Sequence, residues 1–301
     1  MIQSDKGEIE IGLLNNVTSA LSDTIKDLFS TCSPEEITTG FLVHGKFLRT
    51  RLAARLIGPD VSLERLHRIT CCCVAIELAH AASLYHDDVI DKAMVRRGSP
   101  VFWRRYGVSA SVLTGDLLLC GALSVVLRGG DMWAARFFSE KVTEMCKAEV
   151  EQELLLRGKR LTAEKCLAIA RNKTGSLFAF AAGVCAADSE QLRAFEEAGY
   201  AIGTAYQLAD DLVDETGDEV KAGKTLGTDR LRNKFTLAHD NQQRPGELIL
   251  HHVNELRNRA INILTPWPRA VEGLKNFLAE EMNKAPGNTV QLFHKHTAKQ
   301  A

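Results

Sequence analysis

The chain has 301 residues, which is near the upper limit for one compact domain. Hydrophobic residues make up 45% and charged residues 25%, which excludes a wholly disordered protein and supplies enough apolar material for a large core. Lys and Arg number 37 against 38 Asp and Glu, so the formal net charge is -1. This balance argues against nucleic acid as the main partner, because phosphate-backbone binding usually shows as a basic excess.

The acidic N-terminal stretch 1–14 lacks the apolar core of a signal peptide, and no window holds about 20 uncharged apolar residues. We therefore expect a cytoplasmic protein with no transmembrane segment. None of the eight cysteines forms a CxxC pair, so a structural zinc site is not expected. The run around Cys71–Cys73 is apolar and predicts buried, reduced thiols.

Helices are predicted along the chain, because no proline falls between Pro100 and Pro245. The predicted helices cover residues 8–30, 35–57, 61–92, 108–128, 131–157, 162–187, 189–217, 246–264 and 268–284. Segment 61–92 is apolar on more than one face and should run through the centre of a bundle. Ser33, Thr162 and Asp188 are predicted N-caps.

The polar segment 218–240 is punctuated by glycine and is predicted as a long functional loop. No break between helices resembles an interdomain linker. We therefore expect residues 1–301 to form a single all-α domain.

Two acidic clusters with the pattern DDxxD each end an otherwise apolar helix. They are Asp87, Asp88, Asp91 and Asp210, Asp211, Asp214. The first and last carboxylate of each cluster project from the same helix face, because residues four apart lie one turn above each other. Clustered carboxylates repel one another, and a hard divalent cation such as Mg²⁺ removes that penalty. One such cluster can be a solvated helix end, whereas two after apolar helices indicate metal sites.

Cationic residues follow both clusters and occur at two further places. They are Arg96 and Arg97 after the first cluster, Lys221, Lys224, Arg230, Arg232 and Lys234 after the second, and Lys46, Arg49 and Lys173 elsewhere. Acidic metal sites next to Arg and Lys side chains indicate a pocket that binds a polyanion together with metal counter-ions. A diphosphate is such a polyanion. There is no Walker A or GxGxxG pattern, so a nucleotide site has no support.

These motifs resemble those of the trans-isoprenyl diphosphate synthase, or polyprenyl synthetase, family. ELAHAASLYHDDVIDKAMVRRG at 77–98 resembles the first aspartate-rich region, and YQLADDLVD at 206–214 with GKTLGTD at 223–229 resembles the second. HGKFLR at 44–49 and NKTGSLF at 172–178 resemble two further family motifs. The chain departs from the family pattern at His44, Phe47 and Thr50, and 148–158 follows the family's Gly-Glu/Gln pattern only loosely.

The resemblance implies a helical bundle around a central cavity in which isopentenyl diphosphate is joined head to tail to an allylic diphosphate primer. It implies Mg²⁺, two or three ions per active site, with Asp87, Asp91 and Asp210 as main ligands. Supporting aspartates would be Asp88, Asp211 and Asp214. The allylic diphosphate would contact Arg96, Lys173 and Lys224, and the isopentenyl diphosphate Lys46, Arg49, His80 and Arg97. Thr174 and Gln207 would lie beside the reacting carbons, and Lys234 near a closing loop.

Product length is expected to depend on the helix face below Asp87. In the family an aromatic residue four or five positions earlier blocks the growing chain, whereas this chain has the small residues Ser83 and Ala82 there. The small residues Ala79, Ala75 and Cys72 lie eight, twelve and fifteen positions before Asp87. We therefore expect a product of C25 or longer, with C30–C40 favoured and C15 or C20 as the alternative. The small residues could instead only permit close helix packing, with a bulky floor on another helix.

The family also implies a homodimer. The helices at 108–157 carry more apolar residues than one core-facing stripe needs, although a second internal layer would explain them equally well.

Three other interpretations compete. A di-iron carboxylate bundle is suggested by Glu64-x-x-His67 and Glu77-x-x-His80, but both lie in one predicted helix. A class I terpene cyclase would share only the first DDxxD. A regulatory subunit of a heteromeric synthase typically lacks aspartates or the Arg pair, which are all present here.

Overall fold

The structure is a computed structural model that describes residues 2–31, 45–58, 60–129, 131–216, 234–239 and 245–282. The helices are α1 (Ile2–Phe29), α2 (Leu48–Leu56), α3 (Leu63–Ile90), α4 (Phe102–Tyr106), α5 (Val108–Arg128), α6 (Met132–Glu151), α7 (Ala163–Ala170), α8 (Ser176–Gly183), α9 (Ser189–Thr216), α10 (Pro245–Ile263) and α11 (Pro268–Phe277). Strands β1 (Val95–Arg96) and β2 (Ser99–Pro100) pair as a short antiparallel hairpin. The all-α prediction is confirmed.

Helix α3 runs through the centre of the bundle, as its apolar sequence predicts. Residues 72–79 are buried without interruption, so this helix has no solvent-facing stripe there. It packs mainly along α5, while α9 packs against α8 and α10. The two predicted aspartate clusters therefore stand at the ends of two core helices, α3 and α9.

Two of the predicted N-caps are confirmed. Thr162 Oγ1 accepts a hydrogen bond from the backbone N–H of Lys165 at 3.3 Å. Asp188 Oδ1 accepts one from the N–H of Gln191 at 2.8 Å. These bonds satisfy N–H groups that have no partner inside the helix, which explains where α7 and α9 begin. The third predicted cap, Ser33, lies outside the described residues.

Two long predicted helices are interrupted in the structure. The predicted helix 131–157 is α6 followed by a π-helical turn at Gln152–Leu156. The predicted helix 162–187 is divided by another π-helical turn, Arg171–Gly175, which separates α7 from α8. A third π-helical turn, Leu278–Met282, follows α11. Such turns insert a residue without breaking the helix, and side-chain periodicity gives little warning of them.

The predicted helix 35–57 is shorter than expected where the structure describes it. Residues 45–47 are not helical, because Phe47 has a φ of 49°, in the left-handed region, directly before α2. The earlier part, 32–44, lies outside the described residues. Of the predicted loop 218–240, only 234–239 is described, and it contains a 3₁₀ turn at Leu237–His239.

Two helices, α3 and α5, are long and apolar enough to cross a membrane by length and composition alone. This differs from the expectation that no such segment occurs. In α3, however, 67% of the most apolar window is buried inside the protein, and in α5 44% is. Buried core helices share these properties, so the absence of a membrane-spanning segment stays a prediction.

The cysteines in the described ranges are all free thiols. Cys72 and Cys73 are buried as predicted, and burial raises the pKa of both thiols, which keeps them protonated. Cys71, the third residue of the predicted buried run, is only half-buried. Cys120 and Cys146 are exposed, so the thiols are not uniformly buried.

Close packing between α9 and the preceding helix depends on Gly203. A Cβ atom placed on Gly203 would lie 2.6 Å from the Cα of Gly175, which is closer than such atoms approach in proteins. We predict that Gly203→Ala lowers the free energy of unfolding by about 1–3 kcal/mol, because the helices must move apart. Urea denaturation measures this effect.

Gly12→Ala is the matched control, since a Cβ atom at Gly12 has no neighbour within 4 Å in the described structure. This change should stabilise the protein slightly, because alanine has the higher helix propensity. Equal stability of the Gly203→Ala variant and the wild type would contradict the predicted close approach.

Candidate functional site

A cavity of about 760 Å³ lies between the helices, and both aspartate clusters open onto it. It is lined by the predicted site residues Lys46, Arg49, Ala79, His80, Ala82, Ser83, Asp87, Asp91, Arg96, Arg97, Lys173, Thr174, Gln207, Asp210, Asp211, Asp214 and Lys234. One predicted residue, Asp88, is not in the lining, and another, Lys224, lies outside the described residues. The structure thus brings together residues from five separate parts of the chain.

The first acidic wall is the C-terminal end of α3. Asp91 caps the helix, and its backbone N–H donates to the carbonyl of Asp87 at 2.6 Å, so both side chains enter the cavity together. Burial raises the pKa of the Asp87 carboxyl to about 6, with Lys173 opposing the shift and Glu149 and Asp91 adding to it. The negative charge on this wall is therefore unfavourable without a cation.

Asp88 has a different position from its neighbours in the cluster. Its carboxylate is buried and accepts a hydrogen bond from Arg96 Nε at 2.9 Å. Arg96 itself lines the cavity. The structure therefore offers no support for Asp88 as a metal-supporting residue, and instead places it where it orients Arg96.

A tight turn presents the Arg pair to the cavity. Arg97 and Gly98 connect β1 to β2 and have φ values of 53° and 74°. Two consecutive positive φ values are typical of the hairpin turns whose twist matches that of the flanking strands. Glycine adopts this conformation readily, whereas for Arg97 it is uncommon. The turn places two adjacent guanidinium side chains, Arg96 and Arg97, against one cavity.

The second acidic wall is the end of α9. Gln207, one turn before the cluster, donates from Nε2 to Asp211 Oδ1 at 2.6 Å. Thr174 donates its hydroxyl proton to the Gln207 carbonyl oxygen. This chain of hydrogen bonds fixes the side-chain amide of Gln207 beside the cavity.

The π-helical turn Arg171–Gly175 positions Lys173 and Thr174. Arg171 forms an ion pair with Glu197 at 2.7 Å, and its guanidinium lies 3.8 Å from the ring centroid of Tyr200. Both partners belong to α9, so the turn is tied to the same helix that carries the second aspartate cluster. The extra residue of a π-helical turn changes which side chains face inward, and here Lys173 and Thr174 both line the cavity.

Glu149 is a cavity residue that the sequence motifs did not identify. It lies near the end of α6 and forms ion pairs with Lys173 and, at 3.3 Å, with Lys234. Lys234 also lies 3.1 Å from Asp91 Oδ1. Burial raises the pKa of Glu149, but Lys173 and Lys234 outweigh it and hold the pKa at about 2. The stretch 148–158 resembles its family motif only loosely, and the sequence therefore did not identify Glu149 as a site residue.

The opposite effect keeps Lys173 charged. Burial lowers the pKa of Lys173, but Glu149 and Asp87 outweigh it and raise the pKa above its ordinary value. The first acidic wall is therefore matched by two buried ammonium groups, those of Lys173 and Lys234.

A second cationic group lies around the start of α2. Arg49 is 8% exposed, and its guanidinium lies 5.0 Å from the ring centroid of Phe178. Burial lowers the pKa of Arg49, and Glu77 counteracts this effect. Glu77 in turn accepts a hydrogen bond from the Thr50 hydroxyl at 2.7 Å. Thr50 is one of the departures from the family pattern, and it satisfies a buried carboxylate that faces Arg49.

His80 completes this end of the cavity as a neutral side chain. Burial lowers the pKa of its imidazole well below the usual value, and Arg49, Arg96 and Arg97 lower it further. Lys46 and Arg97 are the solvent-exposed members of the group.

The chain-length residues Ala79, Ala82 and Ser83 line the cavity on α3. Ala75 and Cys72, further along the same face, are buried but do not line it. On this face of α3 the described lining therefore ends at Ala79, while Glu77 lines the cavity from a neighbouring position on the same helix. Aromatic rings of Phe137, Phe138 and Phe180 form a buried cluster elsewhere in the same core.

The donor set suits a hard divalent cation. The carboxylates that line the cavity offer oxygen atoms only, from Asp87, Asp91, Asp210, Asp211 and Asp214. Among the described residues, no group of three Asp, Glu, His or Cys side chains converges on one point. Mg²⁺ does not require such a group, since it typically binds one or two carboxylates and completes its shell with water and substrate phosphates.

The di-iron interpretation is wrong. Glu64 and His67 are exposed at the start of α3, and Glu77 is buried with Thr50, so the two motifs do not face one metal site.

The chain is similar to known proteins over much of its length. The polyprenyl synthetase family model matches residues 35–251. A geranylgeranyl diphosphate synthase from Methanosarcina mazei is 29% identical over 74% of this chain and 72% of its own length. An octaprenyl diphosphate synthase from Escherichia coli is 34% identical over 65% of this chain, although the match spans only 62% of that relative.

The fold has close counterparts among solved structures. A polyprenyl synthase from Caulobacter crescentus, complexed with calcium and isoprenyl diphosphate, superposes with a TM-score of 0.72 at 24% identity, over 90% of this chain and 96% of that one. The expected isoprenoid synthase fold is thus confirmed. The family model spans most of the chain, and this chain therefore belongs to the polyprenyl synthetase family of prenyltransferases.

Proposed function

We propose that this protein joins an allylic diphosphate to isopentenyl diphosphate, head to tail, and makes an all-trans polyprenyl diphosphate. The observation that carries the proposal is one cavity with two acidic walls and a separate cationic end. The acidic walls suit a diphosphate that binds with metal ions, and the cationic end suits a diphosphate that binds without them. Two diphosphate substrates can therefore be held at once, and the reaction between them becomes effectively unimolecular.

The aspartates Asp87, Asp91 and Asp210 would hold Mg²⁺, two or three ions per site, and Asp211 and Asp214 would support them. When bound, Mg²⁺ neutralises the diphosphate that leaves the allylic substrate. The oxygen-only donors and the raised pKa of Asp87 both favour such a cation. The calcium bound by the Caulobacter crescentus enzyme is a further reason to expect a divalent ion here.

Protein cations would bind the same leaving group directly. Lys173, Lys234 and Arg96 line the cavity and are held by the carboxylates of Glu149, Asp91 and Asp88. These ion pairs keep the side chains charged and positioned before substrate arrives, so little reorganisation is needed when the C–O bond breaks. Lys224, which lies outside the described residues, is proposed to join this group.

Lys46, Arg49, Arg97 and His80 would bind the diphosphate of isopentenyl diphosphate. Because His80 is neutral, it would act through a hydrogen bond rather than through charge. Thr174 and Gln207, which line the cavity and are joined by a hydrogen bond, would lie beside the reacting carbons and orient them.

The reaction needs no nucleophilic side chain. The allylic C–O bond breaks and releases diphosphate, and the alkene of isopentenyl diphosphate attacks the resulting cation to form the C–C bond. A proton then leaves the new cation, and the released diphosphate is a suitable acceptor. The protein contributes by binding, orienting and excluding water, for which Leu177, Phe178 and Tyr206 supply apolar surface in the lining.

We predict that Asp87→Asn and Asp210→Asn each lower kcat by about 100-fold or more, since a metal ligand and its charge are lost. The free energy of unfolding should not fall, because neutralising one of several crowded carboxylates relieves repulsion. Steady-state kinetics with Mg²⁺ and thermal unfolding measure the two effects.

Asp23→Asn is the control, because Asp23 is exposed on α1 with 72% of its side-chain surface accessible. Near-normal activity of either cavity variant would show that the metal assignment is wrong.

We propose a product of C25 or longer, with C30–C40 favoured, and C15 or C20 as the alternative. Ala79, Ala82 and Ser83 are small and line the cavity below Asp87, so no side chain on this helix face blocks a growing chain. The names of the relatives run from geranylgeranyl to nonaprenyl diphosphate synthase, so similarity to them does not determine the length of the product.

We predict that Ser83→Phe shortens the product to C15 or C20. The ring would fill the cavity one turn below Asp87, and it cannot move aside cheaply because overpacking costs about 1–3 kcal/mol. Ser83→Ala is the control, since it removes the hydroxyl, which donates to the His80 carbonyl at 2.8 Å, without adding volume. Product chromatography would contradict the proposed path of the chain if the active Phe variant made the wild-type length.

We further propose a cytoplasmic homodimer, with a subunit of a heteromeric synthase as the alternative. Some apolar residues of 108–157 are internal, among them Leu118, Val126 and Phe138, but others stay exposed. The exposed ones on α5, α6 and the turn after α6 are Val108, Val112, Leu113, Leu123, Leu127, Met132, Trp133, Val150, Leu154 and Leu155. An apolar surface of this kind is typical of a protein interface.

Light scattering at micromolar concentration tests the assembly, and we expect twice the chain mass of 33.1 kDa. Leu154→Glu should shift the protein toward the monomer, because it buries a charge in the proposed interface. A monomeric wild type would contradict the homodimer.

A further inference from the structure

One half-buried cation of the cavity has no assigned role. Arg257 lies on α10, lines the cavity, and has a buried Nε with no hydrogen-bond partner in the described structure. Arg49 in the same cavity also has a buried Nε without a partner, but the carboxylate of Glu77 offsets its charge. Lys173 pairs with Glu149, and Arg96 pairs with Asp88.

The electrostatic surroundings of Arg257 are also different. Burial lowers the pKa of its guanidinium, and no carboxylate of the described residues counteracts this effect. A buried charge without a counter-charge is unfavourable, and it is usually retained where a ligand supplies the opposite charge. An anion that enters the cavity would supply it.

The position of α10 indicates which anion this is. Helix α10 packs against α9 and α11, and α11 packs in turn on α2, the helix that carries Arg49. The residues after α11 also join α2, through an ion pair between Glu281 and Arg51 at 3.1 Å. Met282, at the end of this segment, lines the cavity with Arg257. These contacts connect α10, through α11 and the segment after it, to α2, which carries Arg49 of the cationic end.

We propose that Arg257 is a further diphosphate-binding residue that serves isopentenyl diphosphate together with Lys46, Arg49 and Arg97. The identity of this ligand rests on the proposed function, whereas the binding of an anionic diphosphate rests on the unbalanced charge alone. No sequence motif marks Arg257, which lies on an ordinary amphipathic helix.

The test compares Arg257→Met and Arg257→Lys with the wild type. Arg269→Met is the matched control, because Arg269 has 70% of its side-chain surface exposed and pairs only with an exposed Asp60 among the described residues. Steady-state kinetics are measured with each substrate varied in turn. Calorimetry measures the binding of inorganic diphosphate without Mg²⁺, so that the aspartate walls contribute little.

For Arg257→Met we expect the KM for isopentenyl diphosphate to rise about tenfold, with kcat and the KM for the allylic substrate within about twofold. The Kd for inorganic diphosphate should rise by a similar factor, and Arg257→Lys should recover part of both losses. The unfolding temperature should not fall, because an unpaired buried charge is removed. A purely structural arginine would instead lower stability and leave both constants unchanged.

Unchanged KM for isopentenyl diphosphate in a folded, active Arg257→Met variant would overturn the assignment, and so would a rise confined to the allylic substrate. If the wild type showed no turnover at all, the proposed function would fail. The calorimetric comparison would then decide on its own whether Arg257 binds diphosphate.

Discussion

The balance of buried charge is the constraint on which the rest of this structure depends. A carboxylate or an ammonium group that leaves water must find a partner, or its burial is strongly unfavourable. In the cavity, some of the charged groups have such a partner and others do not. Asp91 on α3 and Glu149 on α6 share the ammonium group of Lys234, whereas the Asp87 carboxyl has its pKa raised to about 6. The imbalance leaves room for added cations at one end. Arg257, which forms no ion pair with a carboxylate of the described residues, leaves room for an added anion.

Backbone geometry explains how residues so far apart in the chain meet. The π-helical turn at Arg171–Gly175 brings Lys173 to Glu149 while Arg171 stays bound to Glu197 on α9. Glycine at position 203 lets α9 lie directly against this turn. Because these supports belong to packed helices and not to loops, the charged groups are held before any substrate binds, which is the arrangement that favours reactions with charge separation.

Much of the site could be predicted because its signals are local. Residues four apart on a helix share a face, so Asp87 and Asp91 were correctly expected to project together. The all-α fold and the family were also predicted correctly. Other features depend on contacts between segments that are distant in the sequence, and no local sequence pattern predicts them. Glu149 reaches the cavity only because α6 packs beside the π-helical turn, and Arg257 only because α10 packs beside α9.

The position of Asp88 shows the limit of motif-based assignment. A motif groups Asp88 with Asp87 and Asp91, but one residue along a helix turns the side chain by about 100°, which directs it to Arg96. Similarly, the apolar residues of 108–157 could be internal or exposed, and only the packing of α5 and α6 separates Leu118 from Leu113.

The central claim is that one cavity holds two diphosphates and joins their hydrocarbon chains. The most direct measurement supplies the purified protein with Mg²⁺, an allylic diphosphate primer and radiolabelled isopentenyl diphosphate, and follows both the labelled polyprenyl product and the released diphosphate. The account predicts one diphosphate released for each labelled unit incorporated. A folded protein that releases no diphosphate and incorporates no label with any allylic primer would contradict it.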